Sequence, residues 1–462
     1  MRPRLTAAVA AGRLATVLSR RLGVGGGTTA PGHLVRVLDP SAVSSIAARI
    51  SRGSIVVTGT NGKTTTTRMI STLLRKAGLR VMHNRSGANL MAGIASALVN
   101  HSTLAGRPMG DVGLFEVDEA AFPAAVRQLQ PRLCVLTNLF RDQLDRYGEV
   151  DYLSRLWRET LSMLPPSSTV LLNVDDPRIA GLGEGVACRV LYYGIEDPSI
   201  GGASLSHAAD SRFCIRCGAP YSYPLVFYSH LGHYHCPSCG VARPAPHWRA
   251  VSCRLLGTEG TRLQVEGPAG GVELQLRIPG LYNVYNALAA VGVGAAMGVD
   301  LETIRVGLGE FSAAFGRVER VEIQGRRLFL ALVKNPVGFN QVLSTILAEP
   351  GEKRLMIVIN DLFADGTDVS WLWDVDFEML AGRVRFAVAS GLRAEDMAVR
   401  LKYAGVDPQR IAVEGDSSRA LQRALQETAE GDTLYLLPTY TAMLEVRGRL
   451  AEAGQLPPFW ED

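Results

Sequence analysis

The junction between residues 54 and 77 constrains this chain more than any other feature. An apolar run, Ser54–Thr58 (SIVVT), passes directly into Gly59–Thr67 (GTNGKTTTT) and then into a helical pattern over Arg68–Ala77. Strand, glycine turn and helix is the opening unit of an α/β domain. The apolar runs GLFEV, LCVLTN and STVLLNVDDP follow with helical stretches between them, which predicts a parallel sheet covered on both faces. Residues 206–245 break the pattern: they are rich in Cys, His, Tyr, Gly and Pro and read as a small inserted module. Arg249–Ile278 then alternates apolar and polar residues as antiparallel strands do, and a helix is expected from Leu281. From about residue 318 a second alternation begins. Its candidate strands are Leu328–Val333, Leu355–Asn360, Val384–Ala389, Ile411–Glu414 and Thr433–Pro438, with helices such as Ala394–Tyr403 and Ser417–Glu427 between them. That is the pattern of a doubly wound, Rossmann-like α/β unit.

A turn that opens a helix aims backbone N–H groups at one point, where the helix dipole also favours an anion. Gly59, Thr60, Asn61, Gly62, Lys63, Thr64 and Thr65 are therefore candidate nucleotide-phosphate ligands. Lys63 would take the β/γ-phosphates of ATP and the Thr64 hydroxyl would coordinate Mg²⁺. Val57 stands where the standard pattern has its first glycine, so this is a short variant of the P-loop. The bland alternative is a structural glycine turn. Glu116 closes a buried strand, and a carboxylate at that edge points toward the phosphate crevice, so it is a second candidate Mg²⁺ ligand. Asp118 and Glu119 could serve there too, or cap the next helix.

Four of the seven cysteines, Cys214, Cys217, Cys236 and Cys239, are spaced C-x₂-C-x₁₈-C-x₂-C. Two thiolate pairs at this spacing predict a closed, structural Zn²⁺ site of the zinc-ribbon type, with His233 and His235 as spare ligands or packing residues. An odd cysteine total with metal-type pairs fits a reducing, cytoplasmic compartment.

The 462 residues suffice for two or three domains, and 47% hydrophobic residues supply their cores. The expected division is an N-terminal helical segment over 1–45, a central ATP-binding domain over 46–316 with the module inserted at about 206–245, and a C-terminal α/β domain over 317–462. The net charge of +4 is local: residues 1–40 hold six arginines and one aspartate, leaving about −1 on the rest. No basic face remains for nucleic acid, so none is expected as a partner. The basic segment reads as a solvated helix, with contact to anionic lipid headgroups or a transit peptide as alternatives. No secretory signal is expected. The uncharged run Ile278–Val299 contains Pro279, Asn283 and Asn286 and fits a buried helix better than a membrane span.

G-T-N-G-K-T-T resembles the signature of the Mur ligases and their folylpolyglutamate synthetase relatives. Five further blocks follow in that family's order. They are TNLFRDQLDRYGEVD (Thr137–Asp151), LLNVDDP (Leu171–Pro177), GLYNVYNALAA (Gly280–Ala290), FGRVER (Phe315–Arg320) and VKNPVG (Val333–Gly338). The resemblance implies that Asn283 and Asn286 lie near the nucleotide base and that Arg317 reaches the phosphates from a domain junction. Gln143, Ala331 and Lys334 stand where the family has His, Asp and His, and the stretch before the P-loop is short for its UDP-sugar-binding domain. These departures, with HNRSGANL (His83–Leu90), the cysteine module and DGTDVSWLWDVDFE (Asp365–Glu378), are similar to the family's amide-forming branch. That branch is the synthetase subunit of a heterodimer that amidates the D-glutamate of lipid II at the inner face of the membrane, with ammonia from a glutaminase subunit.

By that resemblance Asp368 is the carboxylate that orients the partner's catalytic histidine. The bland reading of its segment is a turn at Asp365–Gly366, an N-cap at Asp368 or Ser370, and a helix with aromatics facing the core. Independently, the last histidine is His247 and the last cysteine Cys253, so no Cys–His glutaminase can be built in the C-terminal unit. Two rivals stay open at this point: a ligase adding an amino acid, and a non-catalytic nucleotide-binding scaffold.

Overall fold

The computed structural model describes residues 3–21, 28–84, 87–141, 150–206, 209–312 and 318–456. Three helices open the chain: α1 (Pro3–Arg21), α2 (Ala30–Leu38) and α3 (Ala42–Ala47). The strand Ser54–Thr58 (β1) forms as its apolar run predicts, and every residue in it is buried. It runs into α4 (Lys63–Lys76), which starts earlier than the periodicity suggested because Gly62, at φ +87°, turns the chain directly into the helix.

The strands β2 (Val81–His83), β3 (Val112–Glu116), β4 (Leu133–Leu136), β5 (Thr169–Asn173) and β6 (Arg189–Ile195) join β1 in a parallel core. Their continuous apolar sequence follows from burial on both faces. A separate hairpin, β7 (Ser222–Tyr228) and β8 (Leu231–His235), lies in the cysteine module. The alternating segment becomes a meander, β9 (Trp248–Leu255), β10 (Thr261–Gly267) and β11 (Gly270–Leu276), added beside β6. The result is a nine-stranded sheet ordered β11-β10-β9-β6-β5-β4-β1-β3-β2. One face packs on α4 and on the helix Leu281–Ala296, and the other on α3, α5 (Met91–Asn100) and the helix Phe122–Leu129. The run Leu281–Gly294 is thus core material, as its small residues and asparagines predicted. Among the described residues no helix is long and apolar enough to cross a membrane.

The second sheet contains β12 (Glu319–Ile323), β13 (Arg326–Leu330), β14 (Lys353–Val358), β15 (Val384–Ser390), β16 (Ile411–Val413) and β17 (Thr433–Pro438). Its order is β12-β13-β17-β14-β15-β16, parallel except for the antiparallel edge strand β12. Apolar clusters cover both its faces. The expected boundary at 316/317 falls outside the described residues.

One expectation fails locally. The segment after Asp368 forms no α-helix but two 3₁₀ turns, Ser370–Asp374 and Phe377–Leu380. The guanidinium of Arg400 donates to the carbonyls of Leu372 (3.1 Å) and Val375 (2.7 Å), taking acceptors that a helix would need. Trp371 packs near Phe339, but Trp373 is 56% exposed.

Candidate nucleotide site and four-cysteine cluster

The loop between β1 and α4 is shaped by two glycines that nothing else could replace. Gly59 sits at φ +139°, and a Cβ there would fall 2.0 Å from the Thr137 hydroxyl oxygen. Gly62 would collide with Asn286 Oδ1 at 2.2 Å. The loop is pinned by the TN block. Asn61 N–H donates to Asn138 Oδ1 (2.8 Å), and the Asn61 carbonyl accepts from Thr137 Oγ1 (2.9 Å) and Asn138 Nδ2 (3.0 Å). Thr60 Oγ1 accepts from the Phe140 N–H at 3.0 Å. Among the described residues no side chain caps α4, and its first turn, with Thr64 and Thr65, opens directly off the loop.

Lys63 Nζ donates to the carbonyls of Gly59 (2.5 Å) and Thr60 (3.2 Å) and pairs with Glu119 Oε2 at 3.0 Å. Both side chains are buried. Glu119, undecided from sequence, is therefore the counter-ion of the P-loop lysine. Glu116 lies at the end of β3 as expected, buried, with its backbone clamped by Asn84 at 2.8 and 3.0 Å. Asp118 accepts from the Ala120 N–H at 3.2 Å and shapes the turn between them. Asn283 and Asn286 act as a brace: Thr66 Oγ1 donates to Asn286 Oδ1 (3.1 Å), Asn286 Nδ2 to Asn283 Oδ1 (2.9 Å), and Asn283 Nδ2 to the Pro279 carbonyl (2.6 Å). From the second unit, Asn335 Nδ2 reaches the loop tip and donates to Asn61 Oδ1 at 3.0 Å. Asn61 Nδ2 is buried with no partner among the described residues, so the tip holds a donor still to be satisfied. Arg317 and Gln143 lie outside the described residues.

The LNVDDP block is structural. Asp175 is fully buried and accepts from Arg243 Nε (2.5 Å), the Ile195 N–H (2.9 Å) and the Tyr285 hydroxyl (2.8 Å). Burial pushes its carboxyl upward against the pull of Arg243. Asp176 caps the helix Pro177–Gly181 and takes the Leu139 N–H at 2.9 Å. Arg243 comes from the cysteine module and also holds Glu196 at 2.7 Å, a link that the sequence did not announce.

In the module, two matched turns present the four cysteines. The N–H of Gly218 donates to the Cys214 carbonyl (2.9 Å) and that of Gly240 to the Cys236 carbonyl (3.0 Å). Both glycines sit at φ +75°. The four sulfurs lie within 4.8 Å of one another, with Cys214–Cys239 and Cys217–Cys236 at 3.5 Å, and none forms a disulfide. Thiolates at about 2.3 Å around Zn²⁺ would stand about 3.8 Å apart in a regular tetrahedron, close to this spacing. Burial opposes ionisation of Cys214, but the backbone N–H groups of Arg216 and Cys217, with the Tyr221 hydroxyl and the Cys239 thiol, together bring it down to about 6. The donor set fits a soft divalent cation.

Asp368 is exposed on the second unit. Its carboxylate accepts from the Ser370 N–H at 2.8 Å, which holds it below the usual carboxylate range.

The Mur ligase middle domain family model matches residues 57–217, and that of the MurT ligase C-terminal domain matches residues 332–443. The subunit MurT of lipid II isoglutaminyl synthase (glutamine-hydrolyzing) from Staphylococcus aureus is 34% identical over 447 residues, covering 96% of this chain and 98% of that one. The chain belongs to the MurT family. The subunit of the same name from Streptococcus pneumoniae is 34% identical over 454 residues, covering 98% of each chain. Among solved structures, a pseudomurein peptide ligase type C from Methanothermus fervidus (22% identical, TM-score 0.64) covers 88% of this chain and is itself 80% covered. MurF from Acinetobacter baumannii (19% identical, TM-score 0.67) covers 93% and is 81% covered. These two show that the fold is the Mur ligase-like α/β fold. Family membership makes the chain an ATP-dependent ligase.

Proposed function

We propose that this chain is the synthetase subunit that amidates the D-glutamate α-carboxylate of the lipid II stem peptide, giving D-isoglutamine. The observation that carries the reading is a P-loop whose lysine, Lys63, is buried against Glu119 and whose tip, Asn61, is reached by Asn335 of the second unit, in a chain 34% identical over nearly its full length to MurT subunits. ATP would lie between the P-loop and the second unit. Its γ-phosphoryl group would pass to the carboxylate, and ammonia would displace phosphate from the acyl phosphate so formed. Lys63 would leave Glu119 and the loop carbonyls to take the phosphates, and the α4 N–H groups would hold the oxygens they face. Arg317 is proposed to add charge from the junction. Contact between the two units at Asn335 and Asn61 would close the site against water.

A buried carboxylate and a hydroxyl are oxygen donors suited to a hard cation, so Glu116 and Thr64 would hold Mg²⁺. The ion would neutralise charge on the transferring phosphoryl group. Cys214, Cys217, Cys236 and Cys239 would hold Zn²⁺ in a closed structural site with no place for a reacting water.

Ammonia would come from a GatD-like glutaminase, in keeping with the absence of His and Cys from the C-terminal unit. Asp368 would orient that partner's histidine across the interface. The work would be done at the cytoplasmic face, where ATP is available.

The test uses the purified chain with ATP, Mg²⁺, lipid II and ammonium chloride, with mass spectrometry following conversion of acid to amide. Product without a partner is expected. No product, even with a glutaminase and glutamine supplied, would reject the reading and direct attention to amino acids as nucleophiles.

A further inference from the structure

The outer surface of α1 and α2 carries a pattern that the nucleotide site does not explain. Helix α1 buries Leu5, Ala8, Val9, Gly12 and Thr16, yet the opposite stripe, Ala7, Ala10, Leu14, Val17 and Leu18, is exposed and equally apolar. Helix α2 buries Pro31, Gly32 and Val35 and exposes Leu34, Val37 and Leu38. Leu14 is 61% exposed and Val37 79%. A surface helix of a globular protein normally turns polar residues outward. Here two adjacent helices do the reverse.

The platform is closely packed. A Cβ on Gly12 would fall 2.5 Å from Val35, and one on Gly32 would fall 1.7 Å from the Ala92 carbonyl oxygen, so α1, α2 and α5 are in close contact. Its charge is of one sign. No acidic residue precedes Asp39, which is buried and accepts from Ser41. Arg4 and Arg21 are exposed at the two ends of α1, while Arg13 and Arg36 are half-buried. An apolar face on helices that carry arginines and no acidic residue suits acyl chains beneath and phosphate headgroups around it. A protein surface of mixed charge would leave these arginines partly unmatched. Helix α5 starts just after Asn89, whose carbonyl accepts the Asp118 N–H at 3.0 Å, so the platform and the nucleotide crevice share a wall.

We propose that the outer face of α1 and α2 is a docking surface for an anionic lipid bilayer. The proposal does not depend on which carboxylate the enzyme amidates. It is tested with the full-length chain by co-sedimentation with vesicles of phosphatidylcholine alone, and of phosphatidylcholine with one-third phosphatidylglycerol, at low and high salt. Binding to the anionic vesicles only, weakened by salt, is expected. The variant Leu18→Glu/Val37→Glu, at exposed positions and checked for fold by circular dichroism, should bind about tenfold more weakly or worse. Arg4→Glu/Arg21→Glu should lose the preference for anionic lipid, also by about tenfold. Absence of binding by the unaltered chain would overturn the proposal, as would variants that bind unchanged. A change in oligomeric state by light scattering in Leu18→Glu/Val37→Glu, with vesicle binding intact, would overturn it by assigning the face to a second copy.

Discussion

Asn335 Nδ2 of the second unit donates to Asn61 Oδ1 at the tip of the P-loop at 3.0 Å, while on another side of the junction Glu349 accepts from the Thr258 N–H at 3.0 Å. The other side-chain atom of Asn335, Oδ1, accepts from the Gly338 N–H at 2.8 Å and caps the helix Pro336–Leu347. One amide thus starts a helix in the second unit and reports that unit's position to the P-loop.

The two roles separate by substitution. Asn335→Ser keeps a side-chain cap but is too short to reach Asn61, so thermal stability should hold while ATP-dependent turnover falls by at least about tenfold. Asn335→Ala should lose turnover similarly and also about 1 kcal/mol of stability, read by denaturant titration. Equal turnover in Asn335→Ser and the unaltered enzyme would remove the bond from the mechanism.

Lys63→Ala should abolish amidation with either ammonium or glutamine as nitrogen source. It should also destabilise the fold by about 3–5 kcal/mol, because Glu119 is left as a buried charge without its lysine. Adding Glu119→Gln should restore most of the stability and none of the activity. Recovery of both would mean that Lys63 is structural.

Asp368→Ala should abolish glutamine-dependent amidation and spare the ammonium-dependent reaction, since the carboxylate is exposed and distant in role from the phosphate site. Equal loss of both, measured side by side, would reject its role across the interface.

The cysteine cluster should bind one zinc per chain by elemental analysis, and Cys214→Ser should release it. Chelation should lower the melting temperature, with the module unfolding first. A metal-free preparation of undiminished stability would reject the zinc assignment.

Arg243→Ala should cost about 3–5 kcal/mol, because Asp175 is fully buried and would lose its cation. Asp175→Asn in the same background should recover part of that loss in denaturant titration.

What the sequence disclosed was local. The strand–turn–helix of residues 54–77, the four cysteines and the meander were legible because spacing and periodicity lie within a few residues of one another. Glu119 was ambiguous because a carboxylate after a strand looks the same whether it caps a helix or faces a lysine 56 positions away. Asn335 was visible only as part of a motif, since its contact with Asn61 spans 274 positions. The segment after Asp368 was misread because Arg400, far along the chain, claims its carbonyls. The outward apolar stripe of α1 was hidden because both of its faces are apolar, which blurs any periodicity.

The junction at Asp175 bears on any attempt to simplify the chain. The aspartate is held at once by Arg243 of the cysteine module and by Tyr285, the residue next to Asn286 in the helix that braces the P-loop. Excising the module to make a minimal ligase would therefore strip a counter-charge from beneath the nucleotide pocket. A shortened enzyme would need a designed cation, or a neutral residue at position 175, before its loop could hold its shape.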